Sequence, residues 1–264
     1  MPRTDEKQWS WRERAGLPWG LALGALLLHA CGDPCVDTEP TVRGHVSALT
    51  LAEREEVSGR IRAVVAERGI TNALLFAGIA SAETNMSQCW RDATWACEGP
   101  PSDDCDGGPV IAGAGDGPCD EQRGGLGMFQ FDAGTYADTL AREGMRILST
   151  DGNIEAAVDF VLAMVQRSDY VPGIFDEQDA IAWLNRVRPY DGDYTIWLQT
   201  VVRYYNGCVP GRCGAYDEKV EHYDAHLRAR YEELGHEFWY PGGENEPSEP
   251  SIRLCAFDDL RPSE

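Results

Sequence analysis

A single acidic residue lies near the end of an apolar segment. In LLFAGIASAETN, residues 74–85, Leu75, Ile79 and Glu83 are spaced i, i+4 and i+8, which places them on one face of a helix. The segment predicts a central buried helix over about residues 71–86, with the carboxyl on the core side. Burial and the negative end of the helix dipole both predict a raised pKa for Glu83, which suits a general acid. A structural glutamate, satisfied by a backbone group or an arginine, is the alternative.

Two downstream stretches carry groups that could bind a sugar. GGLGMFQFDAGTY, residues 124–136, surrounds Gln130 with glycines, which lets a backbone approach a ligand closely while an amide contacts its polar groups. VVRYYNGC, residues 201–208, offers Tyr205 and Asn206 at a predicted helix end. Aromatic rings stack on sugars and amides bind their hydroxyl and acetamido groups. YYNG is also typical of an ordinary helix stop.

Five short motifs follow one another along the chain: AETN, GLGMFQ, NIEAAVDFVLAMV, RYYNG and YDEKV. In this order they resemble the soluble lytic transglycosylases of the lysozyme-like superfamily, over about residues 70–225. The resemblance implies a mainly α-helical, lysozyme-like domain with little or no sheet. It also implies cleavage of the β-1,4 bond after N-acetylmuramic acid in peptidoglycan, with formation of a 1,6-anhydro ring and without a cofactor.

The resemblance assigns a role to each matching residue. Glu83 is the single catalytic acid and base, and Tyr216 orients or borders its carboxyl. The full set of substrate-binding positions that it implies is Thr84, Gly127, Met128, Gln130, Tyr205, Asn206 and Tyr216. The chain departs from the family pattern at Phe129, which separates the usual Met-Gln pair, and at Tyr204, where alanine is common.

Two other functions remain open. GDGPCDEQRGGLGMFQFD, residues 115–132, resembles the aspartate-rich approach to the glutamine motif of goose-type lysozymes, in which Asp116, Asp120 or Asp132 could activate water for hydrolysis. A non-catalytic peptidoglycan-binding lipoprotein would keep the sugar-binding residues but would not need Glu83.

Helical periodicity dominates the rest of the chain. Thr50 and Glu53 have the spacing of a capping box and open a helix that stops at Gly69. Apolar spacing predicts further helices in residues 153–168, 179–187, 193–207 and 215–231. We assign residues 47–234 to the transglycosylase domain, with a Cys/Asp/Gly-rich loop insertion at 89–124. Residues 235–264 are predicted to be an irregular extension.

Cysteine usage predicts four disulfides and an oxidising compartment. Cys208 and Cys213 should pair across the Pro210-Gly211 turn. Cys35 is predicted to pair with Cys255, which leaves Cys89, Cys97, Cys105 and Cys119 to cross-link the loop internally. No metal is predicted, because the cysteines lack CxxC spacing and the DDCDGG segment departs from an EF-hand after Gly107. His222 and His226 are interpreted as helix surface.

The amino terminus predicts export. Residues 1–30 read as a signal peptide, with basic residues before an apolar run that is short for a membrane span. LHAC, residues 28–31, resembles a lipobox with Cys31 as the lipidated residue, followed by a linker at 31–46. We therefore expect a lipoprotein of the outer membrane that faces the periplasm. The formal net charge of −21 disfavours nucleic acid and anionic membrane surfaces as partners, so membrane contact is expected through the lipid only.

Overall fold

The computed structural model describes residues 49–113, 119 and 125–241. These residues form eight α-helices and one two-stranded sheet, so the prediction of a mainly α-helical fold is confirmed. The predictions for the signal peptide, Cys31, the linker, the Cys35–Cys255 bond, Asp116 and Asp120 lie outside the described residues. The helices are α1 Leu51–Glu67, α2 Leu74–Thr84, α3 Tyr136–Glu143, α4 Thr150–Arg167, α5 Glu177–Arg186, α6 Gly192–Thr200, α7 Tyr216–Leu234 and α8 His236–Trp239.

Most helices follow from their sequence signals. The capping box of α1 is present, because Thr50 Oγ1 accepts the amide of Glu53 and Glu53 Oε2 accepts the amide of Thr50 at 2.7 Å. The periodic segments at 153–168, 179–187 and 215–231 are confirmed as α4, α5 and α7. None of the helices in the described ranges is both long enough and apolar enough to cross a membrane.

The centre of the core is α2, which packs most extensively on α7. Every residue of α2 from Leu74 to Ser81 is buried. Gly78 allows the close approach of the two helices, since a Cβ at this position would lie 2.9 Å from Leu227 Cβ. On α7, Val220, Tyr223 and Leu227 are buried.

The cysteine-rich segment differs from the irregular loop that was expected. Its strands β1 (Cys97–Pro101) and β2 (Pro109–Ala112) form an antiparallel hairpin. The predicted internal cross-linking is confirmed by the Cys89–Cys105 and Cys97–Cys119 disulfides, and Cys208–Cys213 is confirmed as well. Strand signals were weak because the hairpin is short and rich in Gly and Pro, and its cross-links supply the order that local propensity lacks.

Three further elements correct the sequence analysis. Helix α3 was not predicted. The single helix expected at 193–207 is α6 followed by a π-helical turn, Val201–Tyr205. The chain after Gly235 is not wholly irregular, because α8 follows and buries Trp239 completely. The domain therefore extends beyond residue 234, and its last described helix contributes to the core.

Candidate active site

Glu83 is the penultimate residue of α2, at the edge of the core. Asn85 and Met86 follow with φ of 53° and 68°, and these left-handed conformations end the helix. Leu75 and Ile79 are completely or almost completely buried, whereas Glu83 is only half-buried. The expectation that its carboxyl points into the core is thus corrected. The carboxyl lies where the buried helix reaches the surface, which leaves it accessible to a substrate.

A tyrosine hydroxyl holds the carboxyl of Glu83. Tyr223, on the buried face of α7, donates a hydrogen bond to Glu83 Oε1. Burial, and next the charge of Glu83, raise the pKa of Tyr223 well above its usual value, so the phenol stays protonated and remains a donor. Asn206 Nδ2 lies 3.5 Å from the same hydroxyl. The amide of the YYNG motif, the phenol and the carboxyl therefore form one chain of polar contacts.

Sequence reasoning did not include Tyr223 among the site residues and placed Tyr216 beside Glu83 instead. Tyr216 begins α7 and interacts with the hydroxyl of Tyr170, and burial raises its pKa. Tyr223 is seven residues further along, about two helical turns, and so it lies on the same face. In the sequence, Tyr216 and Tyr223 form an i, i+7 pair. Which of the two reaches the end of α2 depends on how far α7 runs past that end.

Tyr205 connects the YYNG motif to the glycine-rich stretch. Its hydroxyl donates to the carbonyl oxygen of Phe129, and its ring packs edge-on against Phe160. Tyr205 is 8% exposed, and burial, followed by the charge of Glu83, raises its pKa well above the usual value. The π-helical turn positions this side chain, and its extra residue per turn is a feature that often occurs at functional sites.

Thr84 supports the site from below its surface. The residue is completely buried, and its hydroxyl lies 3.0 Å from Met128 O and 3.2 Å from Ala80 O, so it can donate to either carbonyl. The side chain of Met128 is also completely buried. Both residues were expected to contact substrate. In the structure they instead join the end of α2 to the glycine-rich turn next to Glu83.

Two buried amides fix the glycine-rich turn. Gln88 Oε1 accepts the amide of Met128 at 2.8 Å, and Asn153 Oδ1 accepts the amide of Phe129 at 3.0 Å. Gly127, at φ 73°, must be glycine, since a Cβ there would lie 2.2 Å from Asn153 Nδ2. The glycine therefore permits close packing against α4 rather than close approach to a ligand. Gln88 was not singled out, because nothing in its local sequence marks it as buried.

The disulfide hairpin is joined directly to this turn. The amide of Gly127 donates to Ile111 O at 2.9 Å, and the amide of Gly113 donates to Gly125 O at 2.8 Å. Isolated bridges pair Ala112 with Leu126 and Leu126 with Phe131. The hairpin is thus a scaffold for the glycine-rich turn as well as a surface insertion.

Gln130 and Asp132 lie at the exposed side of the turn. Gln130 is half-buried with φ of 49°, and its Nε2 donates to Gly127 O at 2.7 Å. The carboxylate of Asp132 accepts the amide of Gly134 at 2.6 Å, which makes a local turn. Four of the predicted site residues are half-buried and can meet a ligand directly: Glu83, Gln130, Asn206 and Tyr216.

The two histidines of α7 are not a helix surface. His226 is 2% exposed, and its Nδ1 lies 2.9 Å from Ser81 Oγ, so the sequence interpretation is wrong for this residue. His222 is half-buried and its Nε2 contacts Ala82 O at 3.1 Å. The helix appeared solvated because its polar residues are numerous, but α2 covers this face. Within the described ranges no group of three or more His, Cys, Asp or Glu side chains is arranged to hold a metal ion.

No family model, curated protein or solved structure matches this chain. The chemistry that the site can perform is therefore inferred from its own geometry. That geometry offers one accessible carboxyl held by a protonated phenol, with the half-buried amide of Asn206 next to that phenol. A second half-buried amide, Gln130, lies on the glycine-rich turn. Such a set can exchange a proton with a neutral polar substrate and can hydrogen-bond its hydroxyl or amide groups.

Proposed function

We propose that the protein is a lytic transglycosylase that cleaves peptidoglycan glycan strands with Glu83 as the single acid and base. The fold expected with this function is a lysozyme-like one. The observation that carries the proposal is the hydrogen bond from Tyr223 to Glu83 at the exposed end of an otherwise buried helix. A solvated surface glutamate would not need a buried phenol from another helix to hold it.

The reaction would use the carboxyl twice. Protonated Glu83 donates its proton to the oxygen of the glycosidic bond after N-acetylmuramic acid, and that bond breaks. The resulting carboxylate then accepts the proton of the 6-hydroxyl of the same sugar while its oxygen attacks C1 and closes the 1,6-anhydro ring. The nucleophile is intramolecular and has a high effective concentration, so the reaction does not require a second carboxylate to activate water.

The neighbours of Glu83 suit these two steps. Tyr223 bonds Oε1, so we expect the transferred proton on Oε2. The phenol stabilises the carboxylate that forms after the first proton transfer, because hydrogen bonding to the charged form favours it. Asn206 and Gln130 are the candidates to orient the acetamido and hydroxyl groups of the sugar. Tyr216, half-buried on the same face of α7, is a candidate to border the bound strand.

The export signals are consistent with this substrate. A lipid on Cys31 would hold the enzyme at the outer membrane within reach of the cell wall, and the disulfides require an oxidising compartment such as the periplasm. Intact mass of the natively expressed protein should show an acylated amino terminus at Cys31. A mature chain that begins elsewhere and stays in the aqueous phase would end the lipoprotein proposal.

The experiment that tests the activity is digestion of purified peptidoglycan, followed by mass analysis of the released muropeptides. We expect 1,6-anhydro-N-acetylmuramic acid ends, each one water lighter than a reducing end. Reducing ends would instead indicate a muramidase, with Asp132 the described candidate for activating water. Binding without any release would indicate the non-catalytic lipoprotein. The Glu83→Gln variant serves as the matched control.

A further inference from the structure

The end of α2 needs support from other parts of the chain. The last four carbonyls of a helix have no intrahelical partner, and its final turn frays first. Glu83 lies in that turn. The carbonyl of Ser81 accepts the amide of Asn85 at 2.9 Å, but the amide of Met86 goes back to Ala80 at 3.0 Å. The carbonyl of Ala82, the residue before Glu83, is therefore left to a partner outside the helix.

That partner is His222 of α7. Its Nε2 lies 3.1 Å from Ala82 O, and a carbonyl can only accept, so Nε2 carries the proton. The next residue on α7, Tyr223, bonds the carboxyl of Glu83. Two consecutive residues of one helix thus hold two consecutive residues of the other, one through the backbone and one through the side chain. Neither contact alone fixes both the position and the direction of the carboxyl.

We propose that His222 is a positioning residue for Glu83, which caps the Ala82 carbonyl and keeps the last turn of α2 helical during catalysis. The inference rests on the proposed function and adds to it a residue that none of the sequence motifs includes. Burial lowers the pKa of His222, and the contact with Ala82 acts in the other direction, so the ring is neutral near pH 7 and acts as an Nε2–H donor. His226 packs against it with ring centroids 4.5 Å apart, and Lys219 is the nearby cation that also lowers its pKa.

The chain allows a matched pair of variants. In glutamine the Nε2 donor is four bonds from Cα, as in histidine, so His222→Gln can still reach Ala82 O. In asparagine the amide nitrogen is one bond closer to Cα, so His222→Asn keeps a polar amide but loses the reach. Glu221→Gln, at an exposed neighbouring position on α7, controls for a change of residue on this helix.

Two measurements on these variants test the proposal. Amide hydrogen exchange at Asn85 and Met86 reports the helix end without any need for activity. Steady-state cleavage of soluble glycan strands prepared from peptidoglycan reports kcat and KM. For His222→Asn we expect exchange about five-fold faster, the effect of one lost hydrogen bond, and kcat lower by about ten- to a hundred-fold with KM little changed, as expected for a misplaced catalytic group. His222→Gln should match the wild type in both.

Each other result has a definite meaning. Unchanged exchange in His222→Asn overturns the cap, and faster exchange with unchanged kcat overturns the positioning role. A Gln variant as slow as the Asn variant shows that the hydrogen bond to Ala82 is not what matters, and also overturns it. If the wild type cleaves no glycan while exchange follows the expected pattern, the proposed function fails and the cap is purely structural.

Discussion

The helix pair α2/α7 and the disulfide hairpin each hold one part of the candidate site, by different kinds of bonds. Glu83 is held by Tyr223 and by the packing of Gly78 on Leu227, and two histidines lie along the same helix contact. The glycine-rich turn, residues 125–131, is held by the hairpin, whose loop and first strand are each tied by a disulfide. The helix pair should therefore respond to acid and the hairpin to reductant.

The largest expected effect is acid destabilisation through His226. Burial, then the charges of His222 and Arg230, lower its pKa from 6.5 to about 3. A lowered histidine pKa means that the unfolded state binds the extra proton, so stability is complete above pH 6.5 and falls as the pH decreases toward 3. The whole shift corresponds to a loss on the order of 5 kcal/mol.

Urea unfolding between pH 7 and pH 4.5 measures about half of this loss, with His226→Asn as the control. Asparagine places an amide atom where Nδ1 meets Ser81, so the variant loses a constant amount of stability but should lack most of the pH slope. Equal slopes in the two proteins would contradict the burial of a neutral His226. The hairpin should be less affected at pH 4.5, because the backbone amide of Thr150 lowers the pKa of Asp104, which links the hairpin to α4.

Loss of a hairpin disulfide should come next. Cys97 and Cys119 are 22 residues apart. Removing a disulfide that closes a loop of this size lowers the free energy of unfolding by about 3 kcal/mol. Because β2 bonds the glycine-rich turn, we expect the Cys97→Ser/Cys119→Ser variant to lose glycan cleavage as well as stability. The matched control is Cys208→Ser/Cys213→Ser, whose five-residue separation predicts a smaller loss of stability. Thermal melting and cleavage assays on both variants compare their losses of stability and activity. Larger losses in Cys208→Ser/Cys213→Ser would show that the hairpin is not the scaffold of the turn.

Replacing Gly127 or Gly78 with alanine adds one Cβ atom to the glycine-rich turn or to the helix pair, and so compares how tightly the two regions are packed. At Gly127 the new Cβ meets Asn153 Nδ2 at 2.2 Å with φ of 73°, so we expect a loss of about 3 kcal/mol from overpacking and backbone strain together. At Gly78 the Cβ meets Leu227 at 2.9 Å, but alanine favours the helix by about 1 kcal/mol, so the net loss should be about 1 kcal/mol. Chemical denaturation of the two variants tests this difference. A larger loss of stability in Gly78→Ala than in Gly127→Ala would show that the packing between α2 and α7 is the tighter constraint.

The smallest effect is expected for Tyr223→Phe. Removing the hydroxyl leaves the ring in the core and takes one donor from Glu83, so we expect cleavage to fall by about ten-fold, the effect of one hydrogen bond to a charged group. Thermal stability should change by no more than about 1 kcal/mol. Tyr216→Phe is the control, since its hydroxyl interacts with Tyr170, and it should retain more activity. Greater loss in Tyr216→Phe would restore the role that the sequence motif assigns to it.

Local signals could be predicted from the sequence, whereas contacts between distant segments could not. Helices α1, α4, α5 and α7 carry their own signals, because the capping box at Thr50 and the apolar faces act over a few residues. The Cys208–Cys213 pair is equally local. Tyr223, Gln88 and His226 were missed or misread because their roles depend on which helix covers them, and this is set by the packing of distant segments. The hairpin was missed because its order comes from cross-links rather than from strand propensity.

Glu83→Gln tests the central claim most directly, with glycan cleavage and thermal melting measured on one preparation. Glutamine keeps the volume and an oxygen that can accept from Tyr223, but it cannot donate and recover the proton. We predict turnover lower by about two to four orders of magnitude, the usual contribution of general acid and base catalysis, and a melting temperature close to that of the wild type. Retained cleavage would contradict Glu83 as the catalyst. Inactivity with a loss of about 3–5 kcal/mol, as for a broken buried pair, would make the glutamate structural.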